Sequence, residues 1–189
     1  MNGKKVKIMK VFLNPGHAPN GNPDPGAVNY AMTLRESDIA ESIAVKVQDF
    51  LIAAGVDVVG CLQSDSLEEI CDTANHSGAD IFVSIHCNAF NACARGTEVE
   101  VYPSSAEGRK LAECVQNQIV NSLGTVDRGL KDRPNLYVLK HTDMPAILVE
   151  TAFIDNGEDA ELLRDKSTDF AAAIARGITD YENERKDVL

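Results

Sequence analysis

The chain has no tryptophan, and aromatic residues make up only 5% of its 189 positions. A surface that stacks bases or sugars needs exposed aromatic faces, so this shortage argues against one. Positive charge is scarce too: 18 Lys and Arg against 29 Asp and Glu leave a net charge of −11, with no basic stripe. Such a chain repels phosphate backbones, which excludes nucleic acid as an expected partner. No apolar run approaches the roughly 20 residues of a membrane span. The opening Met1-Asn2-Gly3-Lys4-Lys5-Val6-Lys7 is basic with no apolar stretch behind it, so no export signal is read here. Neither G-x-G-x-x-G nor G-x-x-x-x-G-K-[ST] occurs, which removes the usual phosphate cradles. The five cysteines (61, 71, 87, 93 and 114) are odd in number and contain no C-x-x-C pair. Reduced thiols are therefore expected rather than a disulfide framework.

What is present is an alternation of strand and helix. Helical spacing of Ile39, Ile43, Val47, Phe50 and Leu51 predicts a helix over 36–54, with Gly55 to cap it. A strand follows at 56–59. Ser66-Leu67-Glu68-Glu69 has the form of a capping box and opens a short helix toward Asn75. Thr97, Val99 and Val101 alternate with Glu98, Glu100 and Tyr102, the pattern of a half-exposed strand at a sheet edge. Further helices are expected at 106–123 and 168–184, and further strands at 136–139 and 146–149. The predicted architecture is a single α/β domain: a mostly parallel open sheet of about six strands with helices on both faces. It spans residues 8–182, with an N-terminal extension at 1–7 and a C-terminal tail at 183–189 that is expected to fray.

Three apolar runs end on residues able to bind a metal or move a proton. Val11-Phe12-Leu13 leads through Asn14-Pro15-Gly16 to His17, Ile81 to Ile85 leads to His86, and Ala146 to Val149 leads to Glu150. In open α/β sheets ligands bind outside the carboxyl ends of the strands, so these three side chains could meet in one crevice. Two imidazoles and a carboxylate suit zinc, and hence a metal-dependent hydrolase. Each residue also has a plainer reading. His17 could be an exposed turn residue and His86 a core histidine. Glu36, three residues after Thr33, could close a capping box, and Glu150 could pair with Arg128 or Arg133. His76 and His141 end no apolar run and are read as surface residues. Strand alternation sends Cys87 away from His86, as a small buried hydrophobe, and returns Asn88 to the side of His86.

Leu13-Asn14-Pro15-Gly16-His17, Asp24-Pro25-Gly26-Ala27, Glu36, Ala74-Asn75, the run from Ala79 to Ala89, Arg128-Gly129-Leu130-Lys131, and the run from Pro145 to Asn156 closely resemble the zinc-dependent N-acetylmuramoyl-L-alanine amidases of the cell-wall type 3 family. The resemblance covers about residues 8 to 182 in order. It implies hydrolysis of the amide between N-acetylmuramic acid and L-alanine in peptidoglycan, with one zinc per chain. It also implies that His17, Glu36 and His86 are ligands and that Glu150 is catalytic. Asn88 is a candidate for substrate binding. Departures from the family pattern occur at Ala18-Pro19, Gly60-Cys61-Leu62-Gln63 and Ile70-Cys71-Asp72, and they bear on substrate subsites. The alternatives are a zinc carboxypeptidase acting on stem peptides, disfavoured because no H-x-x-E pair is present, and a catalytically silent peptidoglycan-binding relative. The expected place of action is the bacterial cell wall, as an autolysin or a phage endolysin. With no export signal read, the chain is either cytoplasmic before holin-type release or a truncated secreted protein. Its acidity suggests that retention at the anionic wall depends on a wall-binding module missing from this chain.

Overall fold

The computed structural model describes residues 8–187, so the N-terminal extension expected at 1–7 lies outside the described residues. Strands β1 (Lys10–Pro15), β4 (Asp57–Cys61), β5 (Ile81–Asn88), β6 (Thr97–Val101), β7 (Asp127–Asp132) and β8 (Ala146–Phe153) form one sheet in the order β4-β1-β5-β8-β6-β7. Neighbours are parallel except β6 and β8, which are antiparallel. A small hairpin of β2 (Val28–Asn29) and β3 (Leu34–Arg35) extends the long loop after β1. Because β6 runs against β8, its first residues lie at the carboxyl end of β5 and β8, where the sequence places the site.

Helices cover both faces. Alternate residues Val11, Leu13, Val83, Ile85, Cys87, Ile147 and Val149 point into a core shared with α1 (Glu36–Ala53), α3 (Ala106–Leu123) and α6 (Ser167–Asp187). Phe12, Phe82, Ala146 and Leu148 point the other way, against α2 (Leu67–His76) and α4 (Tyr137–His141). This division is the period-2 alternation of a strand buried on both sides. In α1, Ile39, Ile43, Val47 and Leu51 are buried, whereas Phe50 is 40% exposed. The chain leaves α1 through Gly55 at φ +80°, a left-handed conformation that glycine adopts without penalty. Half of the expected capping box forms at α2, where Ser66 Oγ accepts from the Glu69 amide at 3.2 Å.

Several expectations need correction. Residues 136–139 form no strand. Tyr137–His141 is the short helix α4, with Val138 and Leu139 buried against α2 and Thr142 Oγ1 donating to the Val138 carbonyl. A short apolar run carries no period that separates a strand from a buried helical turn. Strand β6 is interior rather than at an edge, and all five of its residues are buried, including Glu98 and Glu100. The edge belongs to β7, whose polar sequence gave no strand signal, and polar residues are what an edge strand tolerates. Helix α5 (Gly157–Asp165) has no counterpart among the expected elements, and α6 runs through Asp187, so it takes in residues 183–187 of the expected tail, while 188–189 lie outside the described residues. No helix among the described residues is long and apolar enough to cross a membrane.

Candidate metal centre

The turn after β1 delivers His17 in the left-handed region, at φ +65°, so its ring folds back over the strand end. Gly16 makes this possible, because a Cβ there would overlap the His86 ring. The Gly16 amide donates to the Ile85 carbonyl at 2.9 Å, tying the turn to β5. Gln63 Nε2 donates to the carbonyls of Gly16 (2.9 Å) and Ser37 (3.0 Å), so this departure from the family pattern braces the loop against α1. Helix α1 begins at Glu36 with Arg35 as its N-cap and no side-chain capping bond, so Glu36 does not close a box with Thr33.

His17, Glu36 and His86 each offer a ligand atom, and these atoms all lie within 4.8 Å of one another. Glu36 Oε1 is the meeting point: 3.0 Å from His17 Nε2, 2.9 Å from His86 Nδ1, and 3.0 Å from the Cys87 amide, which donates to it. Glu36 Oε2 accepts from the Ala27 amide at 2.8 Å. Behind His17, Asp24 Oδ2 accepts from Nδ1 at 2.7 Å, and Asp24 Oδ1 accepts from the Gly26 amide at 2.9 Å. A carboxylate on one ring nitrogen turns the other toward a metal and raises its basicity. Asp24 stands in the loop that carries the family resemblance but has no expected role of its own. The available signal was an acidic residue within the same Gly- and Pro-rich loop, seven positions after His17.

The charges at the centre are those of a cation site. Burial disfavours charge on both partners, but the contacts outweigh it. Bonds and charge from Glu36, then Asp24, raise His17 from 6.5 to about 9. For Glu36, burial is likewise opposed by His17 and His86, which hold its carboxyl far below the usual range. Two imidazole nitrogens and one anionic oxygen, with backbone donors securing the carboxylate, are the donor set of a catalytic zinc site with room for water. The residues present fit such an ion.

Glu150 stands apart from this trio. It is the register partner of His86 across β5 and β8 and of Glu98 across β8 and β6, so the three form one row across the sheet. It pairs with neither Arg128 nor Arg133. Arg128 Nε donates to Glu98 at 2.7 Å and Arg133 Nε to Glu100 at 2.6 Å. Glu150 Oε2 is buried without a hydrogen-bond partner among the described residues. Burial, then the negative charges of Glu36, Glu100 and Glu98, push its carboxyl well above the ordinary range. A cleft of about 330 Å³ on the α2 and α4 side is bordered by His17, Asp24, His86, Ser64 and Tyr137. Asn88 Nδ2 is engaged by Glu98 Oε1 at 3.0 Å. His76 and His141 are exposed and do not belong to the trio.

Cys87 points into the α1 face and is 3% exposed, with its Sγ 3.6 Å from Thr151 Oγ1. Only its amide touches Glu36. Cys87→Ser is therefore expected to keep full metal content, because the amide is unchanged. The loss of stability should be about 1 kcal/mol, since Thr151 can partner the new hydroxyl. Metal analysis and urea unfolding check this, and substoichiometric metal in the folded variant would contradict it. Gly16→Ala should instead displace the His86 ring and weaken metal affinity by roughly 10- to 100-fold with the fold retained. Chelator competition alongside circular dichroism is the measurement.

An open α/β sheet with imidazoles and carboxylates gathered at its strand ends defines an α/β domain carrying a candidate catalytic metal centre. The sequence model described as N-acetylmuramoyl-L-alanine amidase (Amidase_3) matches residues 11–180, and the chain belongs to that family. It is 38% identical to the uncharacterized protein YqiI of Bacillus subtilis, covering 92% of this chain and 85% of that protein. It is 36% identical to the N-acetylmuramoyl-L-alanine amidase LytC of the same organism, over 90% of this chain but 35% of LytC. Among solved structures, AmiC2 of Nostoc punctiforme, an N-acetylmuramoyl-L-alanine amidase, superposes with a TM-score of 0.83 at 34% identity, covering 93% of this chain and 97% of that one.

Proposed function

We propose that this chain is a zinc-dependent amidase that hydrolyses the bond between N-acetylmuramic acid and L-alanine in peptidoglycan, acting at the bacterial cell wall. The observation that carries the reading is the convergence of His17, Glu36 and His86 in a chain of the amidase family. His17 Nε2, His86 Nδ1 and the Glu36 carboxylate would hold the ion, with Asp24 orienting His17. Zinc bound there supplies Lewis acidity, polarising the amide carbonyl and acidifying water at neutral pH.

Glu150 is assigned the proton transfers. Its carboxylate takes a proton from the attacking water as the new C–O bond forms, then delivers it to the alanine nitrogen as the C–N bond breaks. The products are a muramyl carboxylate and a stem peptide with a free amino end. Burial raises this carboxyl above its ordinary range, which makes it a stronger proton acceptor than a free carboxylate, and such catalysis contributes roughly 10²–10⁴ in rate. The family relationship favours an amidase over a stem-peptide carboxypeptidase.

Dialysis against a strong chelator should abolish release of L-alanine amino ends from purified peptidoglycan, and zinc should restore it. Full activity in metal-free protein would refute the reading. Zinc must also displace the His17 proton, so binding should release about one proton from that ring between pH 7 and 8 and none well above its pKa of about 9. The metal-free protein has the opposite linkage. A raised His17 pKa contributes stability that is fully present below 6.5 and lost as pH rises through about 9. Calorimetry in buffers of different ionisation heat measures the proton release.

A further inference from the structure

The row of side chains that contains His86 and Glu150 continues past the catalytic residues. Glu98 on β6 lies opposite Glu150, and Glu100 opposite Leu148. Both are buried, at 3% and 6% exposure, on the face toward the cleft side of the sheet. Burying carboxylates in the middle of a sheet is costly unless they are paired and hydrogen-bonded. Here they hold guanidinium groups. Arg128 Nε donates to Glu98 Oε2 at 2.7 Å, and the Arg128 Cζ sits 4.8 Å from the centroid of the Phe153 ring. Asn88 occupies the other oxygen of Glu98 at 3.0 Å, and Arg133 Nε donates to Glu100 Oε1 at 2.6 Å.

Two features distinguish this pair from ordinary surface ion pairs. Each arginine is seated on a fully buried acid yet stays part-exposed, 34% for the Arg128 side chain and 47% for Arg133. Among the described residues, Arg128 commits only its Nε–H, which leaves the outer guanidinium edge free to grip an anion with two parallel bonds. The position also fits the reaction. Strands lie about 4.8 Å apart, so Glu98 and the guanidinium over it lie two strands, roughly 10 Å, from the strand of His86. An extended peptide covers about 3.3–3.6 Å per residue, so that distance is two to three residues beyond the scissile amide. In a chain of net charge −11, an anionic substrate group needs such a local cation.

We propose that Arg128, seated on Glu98 and Phe153 with Arg133 beside it, binds a stem-peptide carboxylate two or three residues beyond the amide that is cut, and so makes the enzyme selective for acidic stems. The inference rests on the amidase reading and adds a peptide-side subsite to it.

The test compares soluble glycan–peptide fragments in two forms that differ only in whether the stem carboxylates are free or converted to carboxamides. The zinc-loaded native chain should cleave the free-carboxylate form with a kcat/KM higher by roughly 10- to 100-fold. In Arg128→Gln that ratio should collapse toward one, and Arg128→Lys, with charge but no fork, should fall between. A merely structural role would lower both substrates alike and leave the ratio intact. Arg128→Gln strands the buried Glu98, so the double variant Glu98→Gln/Arg128→Gln serves as the control for folding, and it should show the same collapse. A native ratio near one, or a native-like ratio in either folded glutamine variant, overturns the proposal. Failure of the native enzyme to cut either form would instead overturn the amidase reading beneath it.

Discussion

Glu150→Gln is expected to bind zinc at full stoichiometry and to lose about 10²–10⁴ of its turnover, about 3–5 kcal/mol of barrier. The substitution preserves shape and removes only the ability to take and return a proton. Its environment makes the outcome clean. Oε2 has no hydrogen-bond partner among the described residues, and no arginine pairs with Glu150, so a neutral amide leaves no counter-charge stranded. The carboxyl is already pushed toward its neutral form by burial and by Glu36, Glu100 and Glu98, so neutralising it should not destabilise the fold. Metal analysis, thermal unfolding and peptidoglycan hydrolysis on one preparation are the measurements. A variant that retains turnover would remove Glu150 from the mechanism.

Glu36→Gln should behave in the opposite way, losing the metal first and the activity with it. Oε1 is where His17, His86 and the Cys87 amide meet, and an amide in its place carries no charge to balance a dication. Zinc affinity should fall by at least the roughly 100-fold seen when weaker, outer contacts of metal sites are removed. His17 also loses the partner that contributes most to raising its pKa, so proton release on metal binding at pH 7–8 should shrink together with affinity. Chelator competition measures the first effect and calorimetry the second. Zinc loss in Glu150→Gln with retention in Glu36→Gln would exchange the two roles.

The contrast between these glutamates shows how far local pattern reaches. Both follow from the family resemblance, but the residues by themselves favoured Glu150, at the end of an apolar run, and offered a capping role for Glu36. The structure places Glu36 against the imidazoles although it lies 50 positions from His86, because α1 packs so that its first turn meets the end of β5. No periodicity within a short window carries that contact. The same limit explains α4, where four apolar residues fit a strand or a buried turn equally well, and β7, an edge strand made of polar residues.

Alternation was legible where burial is two-sided and local. It sent Cys87 to one face of β5 and His86 to the other, and the apolar runs of β1 and β5 led to His17, in the turn after β1, and to His86, near the end of β5. It misplaced β6, because alternating Glu98 and Glu100 look solvent-facing until Arg128 on β7 and Arg133 just after it, about 30 residues further along the chain, cover them. The sequence by itself determined the α/β class, the reduced cysteines' lack of a pairing pattern, and the histidines at strand ends, since each depends on neighbours a few residues apart. Strand order, the carboxylate that joins the histidines, and the arginines that cap the buried acids were decided only by tertiary packing. Sheet neighbours are chosen by long-range burial and charge, which leave no period along the chain.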